Sequence, residues 1–277
     1  MAYPTVDAPY GLKPINLIGG VPFAGSTRML PIQYDYRTDI FYGDFVKLVR
    51  GNVEHQAVTN DADDSGMVGI FLGCTYTDAT TKQKQFAQYY PSGTKAGDMM
   101  AYVSDDPDVV YKAVVCSTGT TVASGNHALV GQNQRMLNNT GSTTTGNSAN
   151  AVHIGNTLTT AAFPVRIMGV VDETKKTTSV TGSSSSTTIT CSALPNAIPH
   201  GTDVAYLDSA GQIIQTASFV SVAAAAGATS VTINSAIAVP GSVTAIPADS
   251  TILFREYPEV LVKLNFEIHS YQDATAV

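Results

Sequence analysis

Two acidic clusters are the first residues in this chain with types and spacing suited to chemistry. Asp61-Ala62-Asp63-Asp64-Ser65-Gly66 sets oxygen ligands at alternate positions and then a glycine for a sharp turn, which is the first half of a calcium loop. Leu72 stands where the bidentate glutamate of such a loop would close it. Calcium takes about six to eight oxygens, so the cluster reads as a solvated acidic turn and no metal site is expected. Ser104-Asp105-Asp106-Pro107-Asp108 reads likewise as a turn between strands. Paired carboxylates for glycoside hydrolysis need only spatial proximity. Clefts for sugars are commonly lined with aromatic residues, however, and the chain has no Trp.

The remaining reactive side chains are dispersed. His55, His127, His153, His200 and His269 never recur at the three- or four-residue spacing that sets two imidazoles on one helix face. Cys74, Cys116 and Cys191 are odd in number and far apart, which argues against a disulfide framework or a structural zinc site. They read as buried thiols in a reducing cytoplasm. The chain contains no phosphate-cradling glycine loop, no zinc helix and no nucleophile elbow. The expectation is a protein that is not an enzyme and carries no cofactor.

Charge narrows the partners. The 15 basic residues are scattered against 22 acidic ones, for a net charge of −7. Phosphate recognition needs clustered Lys and Arg, so neither nucleic acid nor a membrane surface is an expected partner. Only 13% of residues are charged, about half the usual share. Ser, Thr, Asn, Gln and Gly must therefore supply the polar surface, as suits a rigid scaffold. Residues 209–248 carry no charge, but Gly211, Gly227, Pro240 and Gly241 interrupt them, and no membrane span is expected. The first residues lack the basic and apolar runs of a secretory signal.

The elements that would position these residues are strands. Val260, Val262, Leu264, Phe266 and Ile268 alternate with Glu259, Lys263, Asn265, Glu267 and His269, predicting a long strand with one face on a core and the other in water. A glycine turn leading into an alternating strand recurs at Gly43-Asp44-Phe45-Val46, Gly97-Asp98-Met99-Met100 and Gly201-Thr202-Asp203-Val204. Residues 66–77 read as a bent central strand, with Gly69 and Gly73 allowing bulges or close backbone approach, and 86–90 as its hairpin partner. Further strands are predicted at 28–34, 109–116, 126–131 and 163–171, and residues 138–150 as a surface loop.

Two segments depart from this pattern. Residues 1–27 are apolar but studded with Pro and Gly, which argues against a helix or a central strand. They read as an extended N-terminal arm that either folds onto its own domain or docks on a neighbour. Residues 177–254 open with a serine run and hold only Asp203, Asp208 and Asp249 as charged residues. Strand pieces at 187–191, 202–208, 212–220, 229–234 and 250–254 predict a small β-barrel or sandwich, inserted into a main β-domain of 28–176 completed by 255–277.

Several phrases carry a resemblance: Ala8-Pro9-Tyr10-Gly11-Leu12-Lys13-Pro14, Phe41-Tyr42-Gly43-Asp44, Gly69-Ile70-Phe71-Leu72-Gly73-Cys74 and Glu259-Val260-Leu261-Val262-Lys263. They look like structural proteins of marine and cyanobacterial tailed phages. The Gly-Asp-x-Val strand followed by a Gly-Ile strand is similar to the β-tulip decoration, or cement, proteins. The resemblance implies a compact β-barrel-like domain. It implies a homotrimer on the outer capsid surface of the virion, made in the host cytoplasm, that stabilises the shell by bridging neighbouring major capsid subunits. The insert departs from the smallest such proteins. Leu12, Ile15, Leu17, Ile18 and Phe23 are the expected capsid or subunit contacts, because an arm docked on a neighbour would bury them. The alternative is a tail or fibre component, an adhesin whose insert contacts host glycans.

Overall fold

A computed structural model of the protein describes residues 6–18, 20–57, 66–154, 163–184, 186–235 and 245–265. The acidic turn at Asp61–Asp64, together with Phe266, Glu267, Ile268 and His269, lies outside the described residues. The fold is all-β. The chain begins with β1 (Lys13–Leu17), β2 (Arg28–Pro31), β3 (Phe45–Val49), β4 (Asn52–His55), β5 (Met67–Thr77), β6 (Lys84–Ala87) and β7 (Met100–Ser104). It continues through β8 (Val109–Thr118), β9 (Thr121–Val122), β10 (Asn133–Gln134), β11 (Met136–Leu137), β12 (Ala151–His153) and β13 (Val165–Val170). It ends with β14 (Lys176–Ser184), β15 (Thr188–Cys191), β16 (Asp203–Leu207), β17 (Ile213–Phe219), β18 (Ser230–Thr232), β19 (Ile246–Glu256) and β20 (Glu259–Leu264).

These strands form three sheets. The first runs β2-β7-β5-β3-β4, with β6 also on β5, and curls until Ile32, just past β2, bridges Val53 of β4. The second runs β10-β13-β20-β8-β12-β11, with β1 and β9 also paired to β8. β5 explains how the first two join. Its run Met67–Cys74 is apolar because both of its faces are covered. Met67 and Ile70 enter a core shared with Tyr111, Val165 and Val262 of the second sheet. Val68, Phe71 and Cys74 enter a separate core with Ile40, Tyr90 and Val103. Gly69 is required there, since a Cβ would lie 2.2 Å from the Ser104 carbonyl oxygen. The β5–β7 register slips between Phe71 and Gly73, the bend expected of this strand.

The third sheet, β17-β16-β19-β14-β15-β18, lies within residues 176–256. It closes on itself. The Ser221 amide donates to the Thr232 carbonyl at 3.0 Å, the Asn234 amide to the Phe219 carbonyl at 2.9 Å, and Val220 bridges Ile233. Ile189, Ile198, Val204, Val220, Ile252 and Phe254 fill this barrel and are fully buried.

The structure corrects several local expectations. β14 has no counterpart among the predicted strands. It is the strand paired along most of its length with β19, and Thr177, Thr178 and Thr181 supply its β-branched character. Residues 126–131 form a 3-10 turn over His127–Leu129 instead of a strand, because the His127 amide points to the Asp203 carboxylate and the Val130 amide to the His127 carbonyl. The face of β20 expected in water is partly covered, with Glu259 and Asn265 both buried. Residues 13–17 of the arm make an edge strand on β8, bulged between Pro14 and Asn16.

Candidate functional site

The arm residues expected at a contact divide between two environments. Leu12 is fully buried in the main core. Its amide donates to the Gly43 carbonyl and the Gly11 amide to the Asn150 carbonyl, each at 3.1 Å. Gly11 has φ +75°, and a Cβ there would meet Ser148 at 2.6 Å, so the chain can lie this close only with glycine. Leu17 and Phe23 pack against the same core, and Ile15 is half-buried. The Leu17 amide donates to the Val21 carbonyl at 2.7 Å and the Phe23 amide to the Ile15 carbonyl at 3.2 Å, which turns the segment into a hairpin. Ile18, 45% exposed, stands at its tip beside Val21, 57% exposed. Val21 lies in the same apolar run, but its position at a hairpin tip has no signature in the sequence.

A buried ion cluster latches this segment to the last sheet strand. The Glu259 carboxylate accepts the Tyr10 hydroxyl at 2.5 Å and lies 3.3 Å from Lys112 Nζ. Lys13 Nζ sits 4.1 Å from the centroid of the Tyr10 ring. Burial, then the hydrogen bond to Glu259 and its charge, push the Tyr10 phenol well above its ordinary range. Burial and the neighbouring Lys112 lower Lys13.

The recurring glycine–aspartate turns share a second property. Each aspartate reaches across to another segment. Asp44 accepts the Phe41 amide at 2.8 Å and the Asn150 side-chain amide at 3.1 Å. Asp98 accepts the Thr77 amide at 2.9 Å and hydroxyl at 2.8 Å, and Lys84 Nζ at 2.9 Å. Asp203 accepts His127 Nδ1 at 2.5 Å and the His127 amide at 3.3 Å, joining the barrel to the second sheet. Burial raises Asp44 and Asp203 against the pull of these partners.

The Asp203–His127 pair resembles the orienting half of a hydrolytic triad. No hydroxyl or thiol among the described residues hydrogen-bonds the His127 ring, and the nearby Ser124 hydroxyl donates to the Gly125 carbonyl and accepts the Tyr257 amide. The pair acts as a clasp. His153 and His200 lie at the same junction, both lowered by burial. Cys74 is pushed up to about 12 and Cys116 to about 11 by burial, which leaves them as unreactive thiols. Among the described residues no three metal-ligating side chains converge.

Two hollows remain. One of about 590 Å³ lies at an end of the barrel by Asp208 and Asp249, where the Asp208 carboxylate already accepts the Ala210 and Gln212 amides of its own turn. The other, a cleft of about 220 Å³, opens over Asp44 and includes Asp39, His55, Asn138 and Thr140 in its walls. No family model matches the chain, and no match is found among curated proteins or solved structures.

Proposed function

We propose that this chain is a structural virion protein that binds the outer surface of a tailed-phage capsid as a homotrimer and bridges neighbouring major capsid subunits. The observation that carries the reading is the N-terminal hairpin. Leu12, Leu17 and Phe23 anchor it on the protein's own core, while Ile18 and Val21 are presented to solvent on a rigid β-frame. An exposed apolar tip on a latched strand costs little further entropy to bind, because its backbone is already ordered. The contact residues of the arm then reduce to Ile18, joined by Val21.

Deleting the whole arm would remove Leu12 from the core, so point substitutions make the cleaner experiment. Ile18→Asp with Val21→Asp should leave the thermal midpoint nearly unchanged and reduce the copy number on particles at least tenfold, measured against the major capsid protein on a quantitative gel. Wild-type occupancy by that variant would remove the hairpin from the mechanism.

A second reading is favoured by the closed barrel. Thr188 and Thr190 of β15 pair with Thr232 and Ser230 of β18, and all four are exposed, giving an uncharged hydroxyl face. A tail or fibre adhesin would use that face on host glycans. A ratio near one copy per major capsid subunit supports the shell role, and a handful of copies per particle supports the adhesin.

A further inference from the structure

The cleft over Asp44 has a buried negative charge at its floor. The Asp44 side chain is 2% exposed. Its hydrogen bonds come from neutral donors, the Phe41 amide, the Asn150 amide and the Ser148 hydroxyl. His55 Nε2 is 3.7 Å from Asp44 Oδ2, beyond hydrogen-bond length. No Lys or Arg stands among the described residues that line the cleft. Burial outweighs the pull of these donors and of the His55 ring, so the carboxylate is held at a cost that a cation entering the cleft would offset. Burial accordingly raises the Asp44 carboxyl.

The walls favour one kind of cation. Asp39 adds a second carboxylate, one oxygen of which accepts the Ser92 amide at 2.6 Å. Asn138 and Thr140, whose side chains carry amide and hydroxyl oxygens, also line the cleft. Several acceptor-bearing residues dispersed around the cleft suit the five-donor fork of a guanidinium better than a compact, strongly hydrated ammonium. The volume of about 220 Å³ admits one side chain and no folded element.

We propose that the Asp44 cleft is a receptor for a single arginine side chain presented by a partner protein. The identity of that partner as a shell subunit rests on the function proposed above; the cleft's preference for a guanidinium does not.

The test uses the full chain and N-acetylarginine amide as probe, followed by the NMR signals of His55 and Asn138. The probe should shift both saturably. The neutral citrulline analogue should shift neither, and the lysine analogue should bind at least several-fold more weakly. Asp44→Asn should weaken binding at least tenfold. Asn138→Lys, at an exposed position, places an ammonium in the cleft and should do the same without touching the Asp44 hydrogen bonds. Absence of a saturable shift, equal binding by citrulline, undiminished binding by Asn138→Lys, or displacement of the probe by calcium would overturn the proposal. Probe binding with no attachment to particles would sink the shell reading and leave the cleft standing. Attachment without probe binding would do the reverse.

Discussion

Gly201 and Gly211 both hold left-handed backbone, at φ +87° and +77°, yet their surroundings differ. A Cβ at Gly201 would lie 2.0 Å from the Ser124 carbonyl oxygen across the barrel junction, whereas nothing lies within 4 Å of one at Gly211. Gly211→Ala should cost only the backbone strain of about 1 to 2 kcal/mol. Gly201→Ala should cost on the order of 4 kcal/mol or prevent folding, because backbone must move. Urea denaturation of the two variants checks the difference. Asp98 makes a prediction with a defined pH dependence. The Lys84 hydrogen bond first, then the Thr77 amide and hydroxyl, hold its carboxyl well below the usual carboxylate range. A depressed folded value means that the contribution to stability is present above the unfolded value of about 4 and is lost as pH falls through the folded one. Asp98→Asn should therefore lower the thermal midpoint at pH 7, with the gap from wild type narrowing as the pH drops below about 4. A constant gap would mean that the side chain acts by shape and not by charge.

At the scale of elements, β1 depends on a side-chain latch more than on its own ladder, which is interrupted at Ile15 and contains Pro14. Tyr10→Phe removes the hydroxyl and leaves the buried Glu259 carboxylate with Lys112 as its remaining side-chain partner. The expected cost is about 1 to 3 kcal/mol. It should show as faster hydrogen exchange at the β1 amides before any change in the barrel. Elements were legible where alternation or continuous apolarity was strong. β5 and β20 are examples, since burial on one or both faces writes itself into residue type. β14 was illegible because a strand of Lys, Thr, Ser and Gly with only Val180 as a large apolar residue looks like a loop until β19 is beside it. The 126–131 segment failed the other way. It has strand-like apolar residues, but a carboxylate 76 positions away takes its backbone donor.

At the scale of the whole molecule, the described residues form two β-assemblies clasped at a junction where Ser124, Asn126 and His127 meet His200, Gly201 and Asp203. The barrel has its own closed ladder and its own core. A fragment spanning 174–258 should therefore fold alone, with strand-rich circular dichroism and one cooperative transition; an unfolded fragment would show that the barrel needs the second sheet. Within the full chain, His127→Ala leaves the buried Asp203 carboxylate without its imidazole. The thermal profile should then split into two transitions, because a buried acceptor that loses its hydrogen-bond partner costs about 1 to 3 kcal/mol at the junction.

By itself the sequence determined the all-β class and the bend in β5. Those properties are carried by local alternation and by glycine, which neighbouring residues along the chain record. It also marked Asp44, Asp98 and Asp203 as turn residues. Only the tertiary structure decided what those aspartates reach, which arm residues turn inward, and that a cleft opens over one of the three. Each of these involves partners distant in sequence, such as Thr77, 21 positions from Asp98, and Glu259, 249 positions from Tyr10. No pattern in the chain encodes such a distance, because it is packing of the sheets that brings the two ends together.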